Sequence, residues 1–251
     1  MNNKKYTNLQ KITLLASLFS LSFGLVNHLP TQAQEAPKKA TGAFNITFEP
    51  PNESQPKVTK GGASRGSQCE IDSLDGVKPF APILPTTNNG LTTASHPTLL
   101  VHIPPTSART VFLSLQDENE EEVYQTILPI GYQSGVMNLD IPKEAPALET
   151  GKIYKWSFAL MCDDKLRPDS PIVQGFIKRI ELEPQLANQL ETATPLEMAA
   201  LYGKAGIWYD TVAILANLRQ AQPQNEDLTT AWNNLLNSVG LEQVVKAELV
   251  E

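Results

Sequence analysis

Few residues in this chain of 251 have types and spacing suited to chemistry: two thiols, three imidazoles, one run of acids and a group of aromatic rings. Cys69 and Cys162 are its only cysteines, too few for a four-thiolate zinc site or a disulfide-dense miniprotein. In an oxidising compartment their default is a disulfide. Closing a loop of about 90 residues would stabilise a fold by roughly 4 kcal/mol in the chain-entropy description. The alternative is a redox-active or nucleophilic thiol, but neither cysteine has a Cys-x-x-Cys neighbour. His28 belongs to the N-terminal segment, His96 stands in a turn beside Pro97, and His102 takes the outward parity of a strand. No two of them have metal-ligand spacing, and there is no Gly-x-Ser-x-Gly elbow. The sequence nominates no catalytic residue, no metal ligand and no cofactor site.

The run Asp117-Glu118-Asn119-Glu120-Glu121-Glu122 is the sharpest concentration of charge. Its position between two apolar stretches reads as a solvated hairpin turn, where acids also discourage edge pairing. Calcium is the alternative, because carboxylate oxygens suit a hard cation, but the run lacks the glycine and spacing of an EF-hand loop. Gly61-Gly62-Ala63-Ser64-Arg65-Gly66 looks like a phosphate loop only superficially, since the Gly-Lys-Ser/Thr ending is missing. Tyr202, Trp208, Tyr209 and Trp232 gather aromatic surface near the C-terminus. They read mainly as packing between helices and strands. The second reading makes Tyr202, Trp208, Tyr209 and Asp210 a partner contact in a peptide groove.

Four segments must position these residues. Lys4, Lys5 and Lys11 precede the uncharged apolar run Ile12 to Val26, and Thr31-Gln32-Ala33 follows. This is the order of a secretory signal peptide over residues 1–33, with cleavage after Ala33. The run is 15 residues long. A spanning helix needs about 20, so a retained anchor is the weaker alternative and the mature chain should carry no membrane span. Residues 34–68 hold Pro37, Pro50, Pro51 and Pro56 and read as a flexible linker, with one short alternation at Phe44, Ile46 and Phe48 that suits an edge strand. Residues 69–183 alternate with period two: Leu99, Val101 and Ile103; Val111, Leu113 and Leu115; Met137, Leu139 and Ile141; Tyr154, Trp156, Phe158 and Leu160. Short strands at regular spacing predict an antiparallel immunoglobulin-like β-sandwich, with a bulge at Gly175. Residues 184–251 change to helical period and predict a small tetratricopeptide-like helical unit. Thr194-Pro195-Leu196-Glu197 is a capping box, Gly240 closes the helix that contains Trp232, and Leu241, Val244, Val245 and Leu249 suggest a weak last helix. Tyr202, Gly206, Leu215, Leu218 and Pro223 carry the repeat-like pattern, with Thr211 where that repeat usually has Ala. A single unit cannot form a solenoid.

The chain has 20 basic and 27 acidic side chains, a net charge of −7, which becomes −10 once the three leader lysines are removed. That excludes an electrostatic nucleic-acid binder, which needs clustered Lys and Arg against phosphate. The ordered motifs Gly61 to Gly66 then Cys69, Leu113-Ser114-Leu115-Gln116-Asp117, Val123-Tyr124-Gln125-Thr126, Gly151-Lys152-Ile153-Tyr154-Lys155-Trp156-Ser157 and Gly206-Ile207-Trp208-Tyr209-Asp210 resemble the cyanobacterial domain of unknown function 928 family. The resemblance covers about residues 55–241. Ala63 stands where that family commonly has glycine. The resemblance implies an exported cyanobacterial protein and supplies no catalytic residues. The expectation is therefore a non-enzymatic periplasmic or envelope-associated binding or adaptor module with an unknown protein or envelope component as partner. The rivals are an envelope polysaccharide or peptidoglycan hydrolase with a carboxylate pair, and a purely structural envelope component.

Overall fold

The computed structural model describes residues 46–51, 80–162 and 165–250. The signal-peptide and Gly61–Gly66 expectations, Cys69 and all of the expected linker but residues 46–51 lie outside these residues. Gly42–Glu251 forms one compact unit. Its strands are β1 (Ala81–Pro82), β2 (Asn89–Thr92), β3 (Thr98–Ile103), β4 (Thr110–Gln116), β5 (Glu122–Pro129), β6 (Gly135–Asp140), β7 (Ile153–Met161), β8 (Ile172–Arg179) and β9 (Leu249–Val250). Four helices precede β9: α1 (Pro184–Leu190), α2 (Pro195–Lys204), α3 (Trp208–Ala221) and α4 (Glu226–Ser238). The architecture is thus mostly β, with two sheets and a C-terminal helical set.

One sheet has the order β1-β3-β6-β9 and the other β2-β8-β7-β4-β5. Their inner rows are the apolar sets that alternate in the sequence. Val111, Leu113 and Leu115 on β4 and Trp156, Phe158 and Leu160 on β7 are fully buried and share one cluster with Leu99 and Val101 on β3. Period two makes this possible, since every second side chain points to the same face.

The sheets are mixed rather than purely antiparallel. β2 runs parallel to β8, and β9 runs parallel to β6. Both parallel pairs join strands far apart in sequence, as parallel pairing requires a crossover rather than a tight turn. β9 also replaces part of the expected last helix. Gly240, with a φ of +81°, ends α4, and Leu241 N–H bonds back to Leu236 O at 3.0 Å. The chain beyond it turns along the core and pairs with β6, burying Val244 and Val245 on the way.

Two further expectations change. His102 is buried, not outward, because β3 is covered on both faces: α3 packs against β3 as well as against β2. Gly175 is not a bulge. A Cβ there would meet Leu84 Cδ1 at 2.3 Å and Trp156 Cζ2 at 2.7 Å, so the glycine makes room for a tryptophan. The alternation at Ile46 and Phe48 forms no strand in residues 46–50, yet Ile46 is fully buried in the main core.

The acidic run closes the β4–β5 hairpin. Asp117 Oδ1 accepts from the backbone N–H groups of Asn119 at 2.8 Å and Glu121 at 3.0 Å, and Glu120 takes a φ of +62°. Desolvation in the turn works against the Asp117 charge, but these donors outweigh it and hold its pKa below the usual value.

Candidate functional site

The N-terminus of α3 is where helices meet both sheets. Gly206 creates this junction: with a φ of +74° it ends α2 in a left-handed turn. Ile207 N–H bonds to Tyr202 O at 2.9 Å and Gly206 N–H to Gly203 O at 3.1 Å, the paired bonds of a Schellman cap. Ile207 packs on Tyr202 in a satellite apolar cluster with Leu91, as that cap favours. One glycine therefore reverses the chain, and α3 starts at once with Trp208, Tyr209 and Asp210.

Each of these three side chains reaches a different part of the β structure. Trp208 Nε1 donates to Ile83 O at 2.8 Å, and the ring meets Phe48 edge to face with centroids 4.9 Å apart. Tyr209 hydroxyl accepts from Trp156 Nε1 at 2.6 Å and donates to Phe176 O at 3.0 Å. Burial pushes the Tyr209 phenol far up in pKa, against the smaller lowering effect of Trp156, so it stays a neutral donor. Asp210 Oδ2 accepts from Thr92 Oγ1 at 2.7 Å and Thr93 N–H at 3.2 Å, and its Oδ1 from the Thr93 hydroxyl. An acid in the first turn also suits the positive end of the helix.

Gly90 on β2 is the receiving surface. A Cβ at that position would lie 2.6 Å from Tyr209 Cε2 and 3.2 Å from Trp208 Cβ. The N-terminal residues lock the other side: Glu49 N–H bonds to Gly203 O at 3.0 Å. Tyr202, also raised in pKa by desolvation, completes the cluster beside Thr93.

The expected contact set is thus brought together, but not as an open groove. Trp208 is 0 % exposed, Tyr209 2 % and Tyr202 8 %, while the Asp210 carboxylate is engaged by β2 and the residue after it. These groups are used in joining helix to sheets, as packing between helices and strands requires. Trp232 is likewise fully buried. His96 Nε2 lies 2.9 Å from Ala145 O and ties two loops together. Cys162 is buried at the end of β7. Among the described residues no group of three or more His, Cys, Asp or Glu is placed to hold a metal ion. Among the same residues no helix is long and apolar enough to cross a membrane.

Sequence reasoning missed the surface that does face solvent. Ile127, Tyr132, Leu166 and Ile172 are all at least half exposed. Strand register brings them to one end of the five-stranded sheet. Ile127 on β5 pairs with Phe112 on β4, Phe112 with Ala159 on β7, and Ala159 with Ile172 on β8. These four form one row across the outer face, spanning about 15 Å at ordinary strand spacing. Tyr132 follows the end of β5, its ring under the Arg109 guanidinium at 4.1 Å, and Leu166 lies in the loop from β7 to β8. A shallow groove of about 400 Å³ between α1 and α2, lined by Gln189, Thr192, Glu197 and Leu201, lies elsewhere. The sequence signal for the row was weak: Phe112 and Ile127 are single apolar residues at alternate positions of their strands, and only register between distant strands lines them up.

With this geometry in view, the chain belongs to the Domain of Unknown Function (DUF928) family, whose profile matches residues 60–249. A comparison with curated proteins found no match.

Proposed function

We propose that this chain is an exported, non-enzymatic binding or adaptor module of the periplasm or cell envelope. Its lysine-then-apolar leader, Lys4 to Val26, supports export. One observation carries the binding reading: the junction aromatics are turned inward while Ile127 and Ile172 stand half exposed at the two ends of a row that crosses one sheet face through half-buried Phe112 and buried Ala159. Large apolar side chains gathered at one place on a surface mark a contact site. The partner is an envelope component that buries this row. Nothing in the arrangement recommends nucleic acid, and the net charge opposes it.

The test is capture from envelope extracts with tagged mature protein, beside an Ile172→Glu variant. A reproducible partner that is lost with Ile172→Glu supports the reading; no partner, or capture indifferent to that change, overturns it.

Export also bears on the sulfurs. In the proposed compartment Cys69 and Cys162 form a disulfide that fastens the segment preceding β1 to the end of β7. The likeness of the sheets to an immunoglobulin fold rests on short strands around buried Trp156. The likeness of α2 and α3 to a tetratricopeptide unit rests on Tyr202, Gly206, Leu215 and Leu218.

A further inference from the structure

We infer that β5 is a self-association edge: two copies of this chain pair their β5 strands antiparallel and continue the five-stranded sheet through a twofold axis. β5 ends the order β2-β8-β7-β4-β5, and among the described residues nothing pairs with its outer side. At eight residues it is far longer than the other terminal strands, β1 and β9 with two residues and β2 with four. Between Glu122 and Pro129 it carries no charge and no proline, so the usual guards of an open edge stand only at its ends.

The backbone is aimed for pairing. Ile130 N–H bonds to Arg109 O at 2.9 Å, which fixes the alternation along β5. Tyr124, Thr126 and Leu128 then direct their backbone groups at β4, and Gln125 and Ile127 direct theirs outward, while a register shift between Leu115 and Gln116 makes Val123 a bulge at the start of the strand. An antiparallel partner centred on Thr126 sets Gln125 opposite Ile127 of the second copy, keeps outer faces together, and forms about four backbone hydrogen bonds.

Charge selects the antiparallel sense. A parallel pair would bring two acidic hairpin tips together. The antiparallel pair centred on Thr126 sends the acidic tip of one copy to the opposite end of the other, where the Tyr132 ring lies. Arg109 lies over that ring, its Nη1 held by Thr106 O at 3.0 Å and Ala108 O at 2.7 Å. Glu120 is fully at the surface of the turn. The acidic tip of each copy thus meets the guanidinium of the other, twice per dimer. The two apolar rows then lie side by side on one face.

Light scattering on eluted full-length mature protein tests this. The wild type should run at twice the chain mass. Gln125→Pro removes only an outward N–H and should weaken the dimer at least tenfold. Glu120→Arg and Arg109→Glu should each weaken it roughly tenfold, and the double variant should regain most of the loss. Circular dichroism checks that each variant is folded; the charge pair serves if Gln125→Pro is not. A monomeric wild type at about 100 µM, a dimer indifferent to all three changes, or no recovery in the double variant overturns the proposal. Envelope capture is read separately, so a monomer that still binds its partner defeats the dimer alone, and a dimer that captures nothing defeats only the binding reading.

Discussion

Gly90 has no side chain because the Tyr209 ring occupies the place of its Cβ. Gly90→Ala should therefore destabilise by about 1–3 kcal/mol, as overpacking does, read as a lower denaturant midpoint with an unchanged slope. Asp210→Ala leaves the buried Thr92 hydroxyl without its acceptor and should lose roughly 1.5–3 kcal/mol, the range for a hydrogen bond to a charged group. Tyr209 gives a pH test. Its phenol is raised in the folded state by burial, while an unfolded tyrosine loses its proton near 10.0. The folded state then holds more protons above that pH, so stability is complete below it and falls as pH rises beyond it. The tyrosinate absorbance that is missing in Tyr209→Phe should appear only together with unfolding; that same component titrating reversibly near pH 10 in folded protein would contradict the burial of Tyr209. At this scale the sequence named Trp208, Tyr209 and Asp210 as a unit and favoured packing for the rings, but not which strands they reach. Period and type mark a residue as apolar, whereas inward or outward depends on Gly90 and Ile83, which are more than 100 positions away.

Elements were easier to read than single side chains. The capping box at Thr194 is present, with the Glu197 carboxylate accepting from Thr194 N–H at 2.7 Å, and those bonds lower the Glu197 pKa. Thr194→Ala should cost about 1 kcal/mol by thermal denaturation. Because Glu197 is lowered, its capping contribution is complete above the ordinary carboxylate value of 4.5 and is lost as pH falls through the folded value. Strand alternation and the acidic hairpin were legible for the same reason, since both are local patterns. Parallel pairing of β2 with β8 and β9 with β6 was not, because it joins residues that share no local signal. Leu241 to Leu249 has helical spacing, but pairing with β6 and burial of Val244 and Val250 override a weak propensity. If Cys69 and Cys162 pair as proposed, reductant should lower the unfolding midpoint of the wild type by an amount reflecting about 4 kcal/mol and leave Cys162→Ser unchanged.

For the whole molecule, α3 is the device that makes helices and sheets one body. Its Trp208, Tyr209 and Asp210 touch β2, β8, β7 and the chain beside β1, and its neighbours α2 and α4 contribute Ala199, Trp232 and Leu235 to the same core. With the aromatic junction sealed, the open end of the five-stranded sheet is left for the partner proposed above. That division of labour is the central claim, and one experiment separates its halves. Binding of mature protein to envelope extracts is measured alongside the unfolding midpoint, for Ile172→Glu and Tyr209→Phe. The account predicts that Ile172→Glu abolishes binding with its midpoint unchanged, and that Tyr209→Phe lowers the midpoint while binding well below that temperature is kept. Binding lost in a folded Tyr209→Phe protein but retained in Ile172→Glu would place the contact at the junction and contradict the account.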